Sequence, residues 1–537
     1  MDLRSKPPAP TRLDRAIAAV FPQYGLRRYM ARRALALQGG YSGARRDRSG
    51  TQNWKPGGGS ADADLLGDLA ELRERSRDLV RNNPLARGAI RTNVTSVVGP
   101  GLKLKSQIDR AVLKLSDTEA DAWENRAEQL FRFWCRANEC DLTGVQDFDA
   151  LQGLVFRAVL ESGDCLAALR MRQGNGRVFE TTLDVIEADR LSNPSNKADS
   201  IKLAGGVEID DAGRPTRYHI CNRHPGDAVL GSVSSEWQAY AARADDGSPL
   251  ILHIFERARI GQRRGEPYLA PVVEALKQLS NYAEAELDAA VMSACFAVFV
   301  KSAAPAVLPQ NSTNANTTSA SDFYKDVDIQ KATLVTMREG DDISTATPGR
   351  PNENFDPFFL SVCRQIGVAL ELPYEILIKH FTASYAAARA ALLEAWRAFR
   401  ARRAWLVSTF CQPSYEAVLA EAVARGLIAA PGFFGDPLVR AAWCGAAWIG
   451  PAPGQIDPVK ETDAAIKKIE ATLSTYSKET AAISGDDWER QFPQRRREEA
   501  MVRGAGMRGA STSQASPADP AATPPDPTPG ATQGDDA

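Results

Sequence analysis

The chain has 537 residues, 65 Lys+Arg against 67 Asp+Glu, and a formal net charge of −2. At about 150 residues per domain this length exceeds a single compact domain, and the near-neutral balance excludes a protein whose whole surface coats nucleic acid. Four histidines without metal-helix spacing exclude a His-based zinc enzyme, and eight scattered cysteines without a C-x-x-C pair exclude a secreted disulfide framework. The N-terminus lacks the apolar core of a signal peptide. The longest apolar stretch, residues 289–300, is too short to span a bilayer. Arginine outnumbers lysine 49 to 16, which base composition alone accounts for.

Residues 1–60 form a basic arm with a formal charge of +9. A short helix is expected from Thr11 to Ala36, broken near Pro22, and Gly57-Gly58-Gly59-Ser60 marks a flexible joint. Such arms touch nucleic acid or acidic surfaces, or remain solvated. Two helices follow across 61–98, separated by Asn82-Asn83-Pro84 and closed by Gly99-Pro100-Gly101. Alternation at 102–105 predicts a strand. The helix predicted at 117–139 carries Trp123, Leu130, Phe131 and Trp134, an aromatic stripe read as core.

A helix over 147–162, a Gly163-Asp164 turn and a strand Cys165–Met171 lead into a β-rich region. Its strands are expected at Thr181–Ile186, Ile201–Ile209, Thr216–Ile220 and Leu250–Phe255, with a hairpin turn at Asp210–Pro215. A long helix is predicted over Ala270–Val300, with Glu284 and Asp288 four apart on one face. Residues 302–322 have loop composition; strands are expected near Lys331–Met337 and Asp342–Ala346. A helix over Asn354–Glu371 ends at Leu372-Pro373, and the longest helix runs from Tyr385 to Arg425. Gly-, Pro- and Trp-rich residues 426–455 precede a last helix, Asp457–Ser484, and an acidic, proline-rich tail from 509 that is expected to be disordered. The order is α+β with long rods, more suited to an assembly subunit than to a compact enzyme.

No P-loop, H-E-x-x-H, G-x-S-x-G in a strand–turn–helix context, or Rossmann fingerprint is present. Two carboxylate clusters remain. Asp184, Glu187 and Asp189 lie at a strand end and would be the metal ligands of a DNA-processing enzyme; ion-pair and turn roles are the commoner use of such groups. Glu208, Asp210 and Asp211 belong to the hairpin, where Asp serves the backbone. Arg389, Arg397, Arg400, Arg402 and Arg403 give the long helix a basic segment suited either to phosphate contact or to ion pairs.

Several stretches in series resemble the lambda family of tailed-bacteriophage portal proteins. They are Phe21-Pro22 through Arg33; Ser76–Ile90 running into Val97–Leu102; Asp147-Phe148 through Glu161–Asp164; Gly206–Asp210 with Gly213–Pro215, Tyr218-His219 and His224–Asp227; His253–Phe255 through Gly261–Pro267 and Leu269–Pro271; Leu372–Glu375 with Ser384–Arg389; and Ile456–Pro458 with Lys460-Glu461. Tyr385 and Arg389 match the family pattern, whereas Ala386 and Ala387 stand where the family commonly carries serines. The resemblance spans about residues 12–500.

It implies an α+β, elongated portal-type subunit with wing, stem, clip and crown-proximal parts. Mapped onto this chain, 1–60 is a basic arm, 61–268 the wing, 269–300 a stem helix and 301–350 the clip. Residues 351–372 are then the second stem helix, 373–386 the tunnel loop, 387–456 the long helix and wing return, 457–500 a crown-proximal helix and 501–537 a disordered tail. It implies a ring, usually of twelve copies, at the capsid vertex, assembled in the host cytoplasm, with double-stranded DNA passing through. The partners implied are the terminase large subunit, the head–tail connector, and the major capsid and scaffold proteins, with no membrane, no cofactor, no metal and no enzymatic activity. On this map Glu284 and Asp288 line the channel and repel phosphate, and Lys379, His380 and Arg389 make transient DNA contacts at the tunnel loop.

Overall fold

The computed structural model describes residues 11–37, 53–174, 176–227, 235–294, 298–301, 342–345, 354–381, 384–455 and 457–505. Contacts divide the chain into two compact units, residues 1–64 and 65–537. In the first, Thr11 starts the helix Arg12–Val20 with a reciprocal cap: its hydroxyl accepts from the Asp14 amide at 3.3 Å, and the Asp14 carboxylate accepts from the Thr11 amide at 2.9 Å. Pro22 opens a second helix, Pro22–Leu37, so the break expected near Pro22 is present. Arg28 reaches back to the buried Asp14 at 3.2 Å.

The second unit begins with helices Leu69–Asn82 and Pro84–Val97. Asn83 joins them: its Oδ1 accepts from the Ala86 amide at 2.9 Å, and its Nδ2 donates to Ser280 Oγ at 2.7 Å. The helix Asp117–Trp134 starts in a Ser116–Glu119 capping box. Its aromatic stripe is core, as expected. Phe131 stands edge-on to Phe148, Tyr415 and Trp448 at 5.4 to 5.8 Å between ring centres. Trp123 lies at the margin and donates to the Ala429 carbonyl at 2.8 Å.

A three-stranded antiparallel sheet has the order Thr181–Glu187, Asp164–Met171, Ile251–Phe255. A four-stranded antiparallel sheet follows chain order: Leu203–Ala204, Val207–Ile209, Pro215–Cys221, Trp237–Ala241. The strand expected at 201–209 is thus a tight hairpin, because Gly205 and Gly206 take φ of 55° and 82° and reverse the chain. The turn at 210–214 forms as expected, with Asp210 Oδ1 accepting from the amides of Ala212 and Arg214. Leu166, Ile186, Leu191, Val207 and Ile220 make a small core separate from the main one.

The long helix is shorter than expected. It runs Val273–Ala294, and Val298–Lys301 is a strand paired antiparallel with Asp342–Thr345. The β-branched run Val-Phe-Val suits a pleated ladder better than a helix. The strand expected at 342–346 is present at Asp342–Thr345. The strand near 331–337, the insertion 302–322 and the tail from 509 lie outside the described residues. The helix Phe355–Ala369 ends where expected, but the loop assigned to 373–386 holds a short helix, Tyr374–Ile378. The rod from Tyr385 continues to Ala424 through a π-helical turn, Val407–Cys411. Pro413 accounts for that turn: it lacks an N–H, and its ring displaces the carbonyl four residues back. A strand the sequence did not signal, Ala446–Ile449, pairs with Lys103–Ser106. The single helix expected at 457–484 is two, Pro458–Glu470 and Tyr476–Ile483, separated where Thr472 takes φ 56°; Trp488–Gly504 follows. Among the described residues no helix is long and apolar enough to cross a membrane.

One buried cluster fixes these pieces to one another. Asp164 is fully buried at the start of its strand. Its Oδ1 accepts from Arg73 Nη2 at 2.7 Å and Arg264 Nη2 at 3.2 Å; its Oδ2 accepts from Arg264 Nε at 2.5 Å and the Gly265 amide at 3.3 Å, with His253 Nε2 at 3.2 Å. Arg264 also donates to the carbonyls of Leu191, Gly205 and Ala188 at 2.6 to 2.7 Å. Burial alone would raise the Asp164 pKa, but the two guanidiniums hold it far below the carboxylate range. Burial drives Arg73 down to about 10 and lowers His253, which is therefore neutral in the fold. Gly163 and Gly265 touch backbone to backbone: a Cβ on either would strike the other's carbonyl.

Removing the carboxylate with Asp164→Ala leaves two buried guanidiniums unmatched and should lower stability by about 3–5 kcal/mol, read from urea unfolding. His253 has a depressed pKa, so its contribution is complete above the unfolded imidazole value of about 6.5 and is lost as pH falls through the lower folded value. His253→Gln should shrink the Tm difference between neutral and mildly acidic buffer; an unchanged difference would refute the assignment.

Candidate functional site

The helix Val273–Ala294 is held on one side and free on the other. Leu276 and Leu279 are buried, and Ser280 meets Asn83. Tyr282 stacks on Phe355 at 5.6 Å and takes Phe358 edge-on at 5.2 Å. That packing fixes the rotation of the helix. Glu284 and Asp288 lie away from the packed side, are exposed, and make no ion pair among the described residues. Like charges four apart repel by a few tenths of a kcal/mol, so fold stability does not explain the pair. Leu287 and Val291 are exposed beside them.

The turn after Tyr374–Ile378 presents Lys379 and His380. Lys379 adopts φ 56°, and the His380 amide donates to the Glu375 carbonyl at 3.1 Å, so both side chains leave a defined left-handed turn and are exposed. Arg389 is half-buried and lies 3.9 Å from Glu461, directed to the helix Pro458–Glu470. The Ser384 hydroxyl caps the rod by accepting from the Ala387 amide at 3.5 Å.

The arginines of the rod divide. Arg403 donates to the carbonyls of Val97, Ser96 and Pro451 at 2.9 to 3.0 Å, and burial, with Arg400 nearby, lowers its pKa to about 10. Arg402 pairs with Glu371 at 3.0 Å and lies over the Tyr268 ring at 4.8 Å. Arg397 pairs with Glu394 at 2.9 Å on the surface. Three of the five residues read as a basic segment, Arg389, Arg402 and Arg403, therefore join the rod to its neighbours. No sequence signal marks them, because their partners are carbonyls and side chains distant in the chain.

Of the three carboxylates at the strand end, Glu187 and Asp189 come together and Asp184 does not. Asp184 and Glu187 fall on opposite faces of Thr181–Glu187 by the two-residue period. Asp184 faces Arg170 at 3.4 Å. Glu187 and Asp189 share Arg77, 3.3 Å from Glu187 and hydrogen-bonded to Asp189, with His224 at 3.7 and 3.8 Å. Burial would raise the Asp189 pKa, and Arg77 overrides it and lowers it. Glu187, Asp189 and His224 are close enough to share a cation, but a guanidinium already supplies the positive charge. The trio of Asp184, Glu187 and Asp189 is thus split by the fold. The hairpin acids are structural as expected: Glu208 meets His219 at 3.2 Å and Asp211 meets Lys202 at 3.2 Å.

A family model described as phage portal protein, lambda family, matches residues 47–403. The chain is 28% identical over 489 residues to portal protein B of Escherichia phage lambda, covering 85% of this chain and 88% of that protein. It is 27% identical over 505 residues to the portal protein of Escherichia phage N15, covering 87% and 90%. A probable portal protein of Halomonas phage phiHAP-1 is 25% identical over 78% of each chain. Among solved structures, the neck of a native gene transfer agent particle with C12 symmetry matches with a TM-score of 0.40 and 13% identity over 78% of this chain and 93% of that one.

Arg403→Ala removes three hydrogen bonds to carbonyls and should destabilise the chain by about 2–3 kcal/mol. The exposed-pair variant Arg397→Ala should change stability by less than about 0.5 kcal/mol. Thermal melts of the two variants side by side check the division.

Proposed function

The chain belongs to the lambda family of phage portal proteins, and from that premise we propose that copies of it form a ring at the capsid vertex through which double-stranded DNA is packaged and ejected. The twelvefold count, the virion location, assembly in the host cytoplasm and docking to the terminase large subunit, head–tail connector, capsid and scaffold proteins are part of this reading. Its division of labour follows the chain: a basic arm, a wing over 61–268, stem helices around Val273–Ala294 and Phe355–Ala369, a clip between them, a tunnel loop at 373–386 and a crown-proximal segment after 457. No catalytic role is assigned to any residue.

The observation that carries the channel reading is the unpaired acidic pair on a rotationally fixed helix. Glu284 and Asp288, repeated around a ring, would form an acidic collar. Each phosphate neutralised by a protein cation adds salt-dependent affinity, and a conduit that moves DNA works best with little of it. Lys379 and His380 would supply brief phosphate contacts at the tunnel loop. Arg389 is assigned a lesser part, because it already faces Glu461.

Negative-stain microscopy of the purified protein should show rings with an axial hole; a uniformly monomeric field at high concentration argues against the assembly. Replacing both acids, Glu284→Lys with Asp288→Lys, should slow packaging or ejection by about an order of magnitude at low salt and less at high salt. Unaltered DNA transit would remove these residues from the channel.

A further inference from the structure

A groove of about 1050 Å³ opens where the segment 256–268, the helix Phe355–Ala369, the turn Leu372–Glu375 and the rod Tyr385–Leu406 come together. Phe156, Val159 and Trp405 contribute apolar lining, and Val368 lies on its wall with 82% of its surface exposed. Three carboxylates on the wall, Glu256, Glu266 and Glu375, make no ion pair among the described residues. The arginines of the same wall already have partners: Arg402 with Glu371 at 3.0 Å and Arg364 over the Tyr374 ring at 5.0 Å, both within the groove, and Arg257 over the Phe255 ring at 5.7 Å. The groove is therefore apolar in part, and five glutamates against three arginines leave its wall with a net charge of −2.

The turn beyond Tyr374–Ile378 carries the complementary chemistry. Phe381 is 62% exposed, so the chain's own groove does not hold it. Lys379 and His380 beside it are exposed and have no carboxylate partner among the described residues. The left-handed conformation of Lys379 and the His380–Glu375 backbone bond set the direction of this knob. An aromatic ring flanked by a lysine and an imidazole fits an apolar groove edged by glutamates.

We propose that Phe381 of one copy inserts into this groove on the next copy, with Lys379 and His380 against Glu256, Glu266 and Glu375. The inference rests on the assembly of copies argued above and names the contact that orders it. Knob and groove are different surfaces, so each copy gives one and receives one. A heterologous contact of this kind closes into a ring when its rotation closes. It also makes the turn primarily a joint between copies, with the phosphate contacts of Lys379 and His380 secondary.

The test uses two single-substitution chains, Phe381→Cys and Val368→Cys, carrying different tags. They are mixed, assembled and mildly oxidised, with the wild-type chain as the blank for its native thiols. A disulfide-linked dimer carrying both tags, abundant in the mixture and absent from either chain alone, is the expected result. Rings in the microscope without that mixed dimer, or with Phe381→Cys linked only to itself, overturn the proposal while leaving the portal reading intact. A wild-type preparation without rings overturns both. Phe381→Ala gives an independent readout: the concentration at which rings half-dissociate should rise roughly tenfold. Unchanged ring stability with slowed DNA transit would assign Phe381 to the channel and defeat the proposal.

Discussion

The carboxylate of Asp164 is the constraint on which the body of the protein depends. Two guanidiniums, an imidazole and an amide converge on it from the helix Leu69–Asn82, the strand Ile251–Phe255 and the segment that leads into the helix Val273–Ala294. A buried charge in this position is tolerated because every lone pair is used. Arg264 then carries the order outward through three carbonyls to the edge of the four-stranded sheet. The helix Val273–Ala294 follows Gly265 in the chain, so the cluster anchors the segment that enters it, while the packing of Leu276, Leu279 and Tyr282 sets where Glu284 and Asp288 point.

Local rules read the sequence well where local physics decides. Pro22, Asn83 and Ser116 stand at helix starts because capping and proline geometry need no distant partner. The aromatic stripe through Phe131 and Trp134 is legible for the same reason: helical spacing alone predicts a buried face. What escaped the sequence is what depends on remote pairing. The strand Ala446–Ile449 exists because Lys103–Ser106 offers it a ladder. Arg403 reads as a surface charge until Val97, Ser96 and Pro451 surround it. The candidate site was half legible. The acidic pair on the long helix follows from spacing, but its freedom from ion pairs does not. The apparent trio of Asp184, Glu187 and Asp189 dissolves because a strand turns alternate residues to opposite sides.

The excess of arginine over lysine acquires a structural use. Base composition suffices to explain its origin, but the fold employs the guanidinium fork where an ammonium would not serve. Arg264 and Arg403 each satisfy three carbonyls, and Arg190 joins a 3₁₀ turn to the carbonyl of Cys221 at 2.9 Å. One planar group with five donors can close several backbone ends that loops leave open. The same arginines are thereby withdrawn from any contact with DNA.

The pairing of Lys103–Ser106 with Ala446–Ile449 has a consequence in time as well as in space. A ribosome emits roughly 5–20 residues each second, so the first strand waits tens of seconds for its partner to be made. Throughout that interval Leu102 and Leu104, buried in the finished protein, lack part of their cover. Everything made in between, including the helices Val273–Ala294 and Phe355–Ala369, folds against a ladder that is still open. Closure of the body is therefore a late event in synthesis, and a chain truncated before residue 446 is a natural client for chaperones and proteases rather than a defective part offered to an assembling particle.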